Sequence, residues 1–316
     1  MEVRIAGDGL AIATDSRWLG QTLAAALQTE MWLPGAYTKR LFAEGRVQVG
    51  RQPASPELVI TRPLTVRLLG GVDEPYGLGS PMHASVPAAS PLWEDEHAMV
   101  MNKPAGLIIY PSSESDVDTL GLRVARYYEL SGQLRKVRHV HRLDKDTTGA
   151  VLYAKHSYSA RALDALLTEG RIERIYWALT LGKPRHKTGV IDQPIGRDRH
   201  VSGRYRVSRT GKPAKTLYRT LGTVTVGGGH LSLLECRLAT GRTHQIRVHL
   251  SSIGCPIVGD TLYGGLVAAG WPAGQGFALH AKTLAFYHPY LREPMVVEAP
   301  LPDSFAGSLR RIGISV

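Results

Sequence analysis

The sequence predicts an α+β protein in which a mixed, mostly antiparallel sheet carries a few helices and a small unit precedes it. Three observations lead there. Short β-type runs recur from residue 98 onward without the regular strand–helix rhythm of a doubly wound parallel sheet. Gly227-Gly228-Gly229 separates two of those runs, Thr216–Val226 and Leu231–Leu238, as the turn of an antiparallel hairpin. Gly70, Gly71, Pro75, Gly77, Gly79, Pro81, Pro87 and Pro91 crowd one stretch at the density of a linker. The division that follows is a small N-terminal unit (1–70), a linker (71–92) and a main domain (93–316).

In the first unit, Trp18, Leu19, Leu23 and Leu27 form a helical stripe behind Asp15, a suitable N-cap. A second short helix runs from Tyr37 to Glu44 and stops at Gly45. Arg46–Val49 alternates like a strand and turns at Gly50-Arg51, and Leu64–Leu69 closes a small sheet. Beyond the linker, Ala98–Met101 and Leu107–Tyr110 read as short strands around Lys103-Pro104-Ala105-Gly106. Asp118–Leu130 reads as a helix ended by Gly132, and Val151–Ala154 as a strand. Ser157–Thr168 is a helix with Leu163, Leu166 and Leu167 on one face and Gly170 as its stop. Tyr176–Thr180, the hairpin strands and Thr243–Leu250 complete the expected strands.

Charge narrows the class of partner. Lys and Arg number 38 against 27 Asp and Glu, a net charge of +11. That surplus favours polyanions, without distinguishing DNA from RNA. Cys236 and Cys255 are the only cysteines and form no CxxC pair, so a structural zinc site is not expected. Two isolated thiols, no signal-like start and no apolar span of membrane length lead to the expectation of a cytoplasmic protein with no membrane partner. Neither a phosphate loop nor a dinucleotide fingerprint is present, so no nucleotide cofactor is expected.

The most informative segment is His141-Arg142-Leu143-Asp144-Lys145-Asp146-Thr147-Thr148-Gly149. Chemically it is a polar loop whose Thr-Thr-Gly end suits a tight turn fixing a carboxylate. Basic neighbours make that carboxylate a candidate nucleophile, and a solvated turn fits the same residues. The segment resembles the HRLDxxTSG signature of the RluA family of pseudouridine synthases. Further motifs follow in the family's order: KPAG at 103–106, PIGRD at 194–198, GKPAKTLY at 211–218, GRTHQIRVHL at 241–250, GCPIVGDTLYG at 254–264 and LHA at 279–281. The likeness covers roughly residues 94–303. Two departures stand out. Thr148 replaces the usual Ser and keeps a hydroxyl, and Arg174 stands where the family typically has Lys two residues before a tyrosine.

The resemblance implies the pseudouridine synthase fold and the isomerisation of uridine to pseudouridine in RNA, without a cofactor. It implies that Asp144 is the catalytic aspartate and that Tyr176 stacks on the target uracil and takes part in moving its proton. Arg247 would pair with the Asp144 carboxylate, Arg242 being the second choice. Arg142 would contact substrate, and Ile246 and Leu279 would wall the base. His244 and His249 are not read as metal ligands, because the expected strand at 243–250 would turn them to opposite faces.

Arg197, Arg204, Arg206, Arg209 and Lys212 lie in a run with few acids and with Tyr205 among them, and are expected to contact RNA phosphates. The N-terminal unit resembles, less closely, the small αL RNA-binding module. Lys39, Arg40, Arg46 and Arg51 are its basic positions, and the usual Leu-Ser-Arg start is absent. That module favours ribosomal over transfer RNA as substrate. Two other readings fit parts of the chain: a non-catalytic RNA-binding protein retaining the synthase fold, and a metal-dependent nuclease built on Asp144, Asp146 and histidines.

Overall fold

The computed structural model describes residues 1–77, 85–113, 115–267, 271–272 and 274–315. Gly79 and Pro81 of the expected linker lie outside the described residues.

The chain opens with a hairpin, β1 (Glu2–Ala6) and β2 (Gly9–Ala13), for which the expectations contained no element. The stripe at 18–27 is two elements rather than one helix. A 3-10 turn, Ser16–Trp18, is capped by Asp15, and α1 (Leu23–Glu30) starts afresh after Gly20 with Thr22 as its own cap. Trp18, Leu23 and Leu27 are buried while Leu19 is exposed, so a helical stripe is the wrong description of that run. Then come α2 (Gly35–Ala43), β3 (Val47–Val49), β4 (Gln52–Pro53) and β5 (Thr65–Leu68), in a five-stranded sheet of order β1-β2-β5-β3-β4.

The second sheet has ten strands. Its elements in chain order are β6 (Pro91–Glu94), β7 (Ala98–Lys103), α3 (Leu120–Leu130), β8 (Arg138–His139), β9 (Thr148–Ala154), α4 (Ser157–Thr168), β10 (Ile172–Leu181) and β11 (Thr188–Asp192). A separate two-stranded ribbon, β12 (Ile195–Arg197) and β13 (Tyr205–Val207), interrupts them. β14 (Lys215–Val226), β15 (Gly229–Leu238), α5 (Gln245–Ser252), β16 (Leu279–Tyr287), β17 (Pro294–Glu298) and α6 (Asp303–Ile312) follow. The main path is β11-β14-β15-β10-β16-β9-β7-β6, with β17 on β16 and β8 on β9. Every pairing is antiparallel except β9 with β16, so the sheet is mixed, in agreement with the expected class. The hairpin turn at Gly227-Gly228 has both residues at positive φ, as a two-residue turn of that hand requires.

Side-chain alternation explains the two-sided core. On β7 and β9, Met99, Met101, Val151 and Tyr153 join α3 on one face, while Ala98, Val100, Leu152 and Ala154 join Leu163 and Leu166 of α4 on the other. Leu107–Tyr110 is an irregular segment, not the expected strand. Leu107 and Ile109 are buried, and the Ile108 and Ile109 carbonyls accept from the first two amides of α3, so the apolar run reports burial rather than pairing.

The N-terminal unit is seated on the start of α4. Tyr158 and Tyr290 enter its core, the Ser157 amide donates to the Gly71 carbonyl at 2.9 Å, and Arg292 donates to the Glu30 carbonyl at 2.8 Å. Arg46 is used in this seat. Its Nη2 donates to the Tyr158 hydroxyl at 3.0 Å and its Nε to the Leu69 carbonyl at 2.7 Å, so it is not free for RNA as the αL resemblance suggested. Within the linker stretch, Asp73 and Glu74 pair with Arg135 and Arg138.

Candidate active site

The loop carrying Asp144 is held at both ends. At its far end, β9 begins beside β16, where Gly149 has a φ of +108° and a Cβ would stand 2.3 Å from the Ala281 carbonyl oxygen. The Thr148 hydroxyl meets His280 Nδ1 at 2.8 Å, so the hydroxyl retained in place of Ser is in use. Beneath the loop lies Lys103 at the end of β7, fully buried. Its ammonium donates to the carbonyls of Lys145 (2.6 Å), Thr147 (2.9 Å) and Pro104 (2.9 Å). Burial pushes Lys103 down to about 7, with Asp146 and Asp144 acting in the opposite sense.

Asp144 stands half-buried where two clefts meet. One, of about 260 Å³, includes Tyr176, Leu279, Ile246, Arg174, Arg142 and Arg247 in its lining. The other, of about 510 Å³, lies across Arg142, Asp144, His244 and Arg247 from it and reaches Tyr110 and His139. The sequence-predicted residues Asp144, Tyr176, Arg247, Arg142, Ile246 and Leu279 therefore meet around one cleft, from β10, α5, β16 and the 141–149 loop. A register shift in β10 between Ile175 and Tyr176 resets the strand where the tyrosine enters, the usual use of a bulge beside a site. Burial raises the Tyr176 phenol above its ordinary value, opposed by Arg174 and reinforced by Asp144. Arg142 is exposed at the rim shared by the two clefts.

Arg247 is the hub. Its Nη1 donates to Asp144 Oδ2 at 3.0 Å, and its Nε and Nη2 grip the two oxygens of Asp260 at 2.7 and 2.9 Å. The guanidinium also lies 4.3 Å from the Phe277 ring centroid and 4.9 Å from that of Tyr263. Burial opposes its charge, but Asp260 and then Asp144 outweigh that and hold it above the ordinary arginine value. Arg242 is excluded from this role, since its Nε donates to the Pro213 carbonyl at 2.9 Å.

The segment 243–250 is not a strand. Residues 245–252 form α5, with His244 at the N-cap position in the left-handed region at φ 56°. The alternation of apolar and polar residues misleads because both kinds are buried. Gln245 binds the Lys215 carbonyl and the Thr216 hydroxyl, and His249 binds that same hydroxyl and the Gln193 carbonyl. The strand argument for separating His244 from His249 therefore fails, although their rings do face different partners. Among the described residues no group of three or more His, Cys, Asp or Glu is placed to hold a metal ion.

The basic residues predicted to touch RNA sit on and after the β12–β13 ribbon. Arg197, Arg206, Arg209 and Lys212 are exposed, and Arg197 and Lys212 line a groove of about 410 Å³ that also contains Tyr205, Arg242 and Thr243. Arg204 is partly exposed, its Nε 3.7 Å from Asp198 and its guanidinium 6.0 Å from the Tyr263 ring centroid. Sequence reasoning assigned no role to Asp260, Tyr263, His244 or Phe277. Asp260 and Tyr263 lie in the quoted GCPIVGDTLYG motif, and an acid in a motif otherwise poor in charge was the available signal.

Comparison with known proteins agrees with this geometry. A family model for RNA pseudouridylate synthase matches residues 97–252. An uncharacterized RNA pseudouridine synthase of Bacillus subtilis, YhcT, is 36% identical over 296 residues, spanning 94% of this chain and 95% of its own length. The ribosomal large subunit pseudouridine synthase D of Nitrosomonas europaea is 41% identical over 226 residues, 70% of this chain and 64% of that relative. Among solved structures, human RNA pseudouridylate synthase domain containing 4 superposes with a TM-score of 0.60 at 28% identity, over 72% of this chain and 94% of that one. A carboxylate at the meeting of two clefts, an aromatic and apolar wall beside it and relatives of this kind lead to one conclusion: the chain belongs to the RNA pseudouridylate synthase family, as an RluA-type RNA pseudouridine synthase.

Proposed function

We propose that Asp144 is the catalytic aspartate of this synthase and that the smaller cleft receives a uridine flipped out of the RNA. The reaction breaks the bond from uracil N1 to ribose C1′, turns the base and rejoins it through C5, which gives up its proton while N1 takes one, so it needs no redox partner and no phosphate donor. What the protein must supply is a carboxylate at the sugar, a wall for the base and exclusion of water. The observation that carries the reading is the Arg247–Asp144 contact at the mouth of a cleft lined by Tyr176, Ile246 and Leu279. Tyr176 presents the ring on which uracil stacks, Ile246 and Leu279 wall its edge, and Arg142 at the rim meets the RNA strand. Arg197, Arg206, Arg209 and Lys212 draw in backbone phosphates along the neighbouring groove.

A relative named for the ribosomal large subunit supports ribosomal RNA as the substrate. We read residues 1–70 as an αL-type module that docks on that RNA, residues 93–316 as the catalytic unit and 71–92 as the connection between them. Two buried free cysteines fit a reducing, cytoplasmic setting; among the described residues no helix is long and apolar enough to cross a membrane. The test is Asp144→Asn, incubated with total RNA from cells lacking the gene. Turnover should vanish while RNA affinity stays within about twofold of wild type, since a single group within a broad interface is altered. Pseudouridine made by the variant at the wild-type rate would remove Asp144 from the reaction.

A further inference from the structure

We propose that His244 is a positioning residue: it presents an Nε2–H to Asp144 Oδ2, and the hydroxyl of Tyr263 fixes it in that tautomer. The inference rests on Asp144 being the reacting carboxylate and adds how that group is aimed. His244 Nδ1 lies 2.8 Å from the Tyr263 hydroxyl, and that hydroxyl accepts the backbone N–H of Tyr205 at 2.9 Å. A phenol has one proton to give. With the Tyr205 amide donating to its oxygen, its own proton has His244 Nδ1 as its acceptor among the described residues. Nδ1 is then the bare nitrogen and Nε2 carries the hydrogen.

Nε2 stands 3.9 Å from Asp144 Oδ2, the same oxygen that Arg247 holds at 3.0 Å. Both donors address Oδ2, and Oδ1 has no hydrogen-bond partner among the described residues. Oδ1 is therefore the oxygen that meets the sugar. A distance of 3.9 Å lies about 1 Å beyond a hydrogen bond, so Nε2–H faces Oδ2 as a dipole that steers the carboxylate rather than as a bond that holds it.

Two rings brace the imidazole. It meets Tyr205 edge-on at 5.6 Å and Tyr263 at 5.7 Å, and its backbone is held in the left-handed region, where His is tolerated and bulky side chains are not. Tyr205 belongs to β13 of the basic ribbon. The chain Tyr205 N–H, Tyr263 hydroxyl, His244 imidazole and Asp144 carboxylate thus runs from the RNA-facing ribbon to the reacting group, so seating RNA on the ribbon also sets the carboxylate.

Nitrogen-detected NMR of the imidazoles tests the tautomer directly, with His244→Asn, a residue that also tolerates the left-handed region, assigning the signal. Wild type should show the Nε2–H form. Tyr263→Phe keeps the ring against Arg247 and His244 but removes the hydroxyl. It should lose that single tautomer and slow single turnover on total RNA from cells lacking the gene by roughly ten- to a hundredfold, with RNA affinity unchanged. An Nδ1–H form in wild type, or Tyr263→Phe turning over at the wild-type rate, overturns the proposal. Should Asp144→Asn instead remain active, the identity of the carboxylate fails while the tautomer assignment stands, so the two failures are told apart.

Discussion

Asp260→Ala separates the strut behind the site from the site itself. Asp260 is 1% exposed, and its two oxygens take two of the three hydrogen bonds Arg247 makes to carboxylates. Truncation leaves a guanidinium whose side chain is 7% exposed with a single acidic partner, Asp144. Breaking a buried ion pair costs about 3–5 kcal/mol. The remaining carboxylate and the two ring faces place this case near 3 kcal/mol, which lowers Tm by about 4–5 °C in a protein of this size. The consequence for turnover is separate. Without Asp260 the guanidinium is free to close on Asp144 with both terminal nitrogens, and a misplacement of about 1 Å at a reacting group costs on the order of a hundredfold. Thermal unfolding and single-turnover rates, measured beside the isosteric Asp260→Asn, check both parts. Asn retains one acceptor and should fall between Ala and wild type in Tm. An Ala variant within about 2 °C of wild type would refute the buried strut; one that melts early but turns over at full rate would refute its positioning role.

Three further outcomes follow from other parts of the molecule. Replacing Arg197, Arg206, Arg209 and Lys212 with Gln should weaken RNA binding and flatten its dependence on log salt by about one unit for each phosphate left without its cation; an unchanged slope removes the ribbon from the interface. Burial pushes His141 down to about 3 and His280 to about 4, and holds His156 well below its ordinary value. These groups are neutral in the folded chain and take protons near 6.5 once unfolded, so stability is full above about pH 6.5 and is lost as pH falls toward 4. Urea midpoints at pH 7 and 5 should show that loss, and His280→Gln should reduce its slope by about one proton. Gly149→Ala should collapse the β9–β16 pairing and abolish soluble expression or activity, because neither φ nor the Ala281 carbonyl leaves room for a methyl group; a stable, active variant would contradict the geometry.

Local signals carried most of the fold. The helix at 157–168 agrees with the expectation because its apolar residues keep a helical period and Gly170 ends it, and the long hairpin because a two-residue turn needs positive φ at both positions, which Gly227-Gly228 adopts without strain. Short or isolated elements left weaker traces. β12 and β13 have three residues each, with an arginine in each strand, so only the basic run and not the ribbon was legible. β16, which brings Leu279 to the cleft and pairs parallel with β9, depends on a partner more than a hundred residues away, a relation no local pattern encodes.

The site shows the same limit more sharply. Asp144, Tyr176, Arg247, Ile246 and Leu279 were found through motif likeness, and the periodicity around Arg247 pointed to the wrong secondary structure. Periodicity reports secondary structure only when one face is wet. In α5 Gln245, Ile246, Arg247, Val248, His249 and Leu250 are at most 6% exposed, so the distinction between apolar and polar residues no longer tracks a face. Polar side chains can occupy those buried positions because each finds a partner from elsewhere in the chain: Gln245 in the β14 backbone, His249 in Gln193 and Thr216, Arg247 in Asp260 and Asp144. Those partners come from four separate stretches of sequence. The features that hide the helix from a pattern reader are the ones that build the site, since the buried Arg247 with its two carboxylates sits on a stretch of helix covered on all faces. A run of alternating apolar and hydrogen-bonding residues beside a recognised family motif is therefore better read as a buried helix or strand of undetermined type until its partners are known.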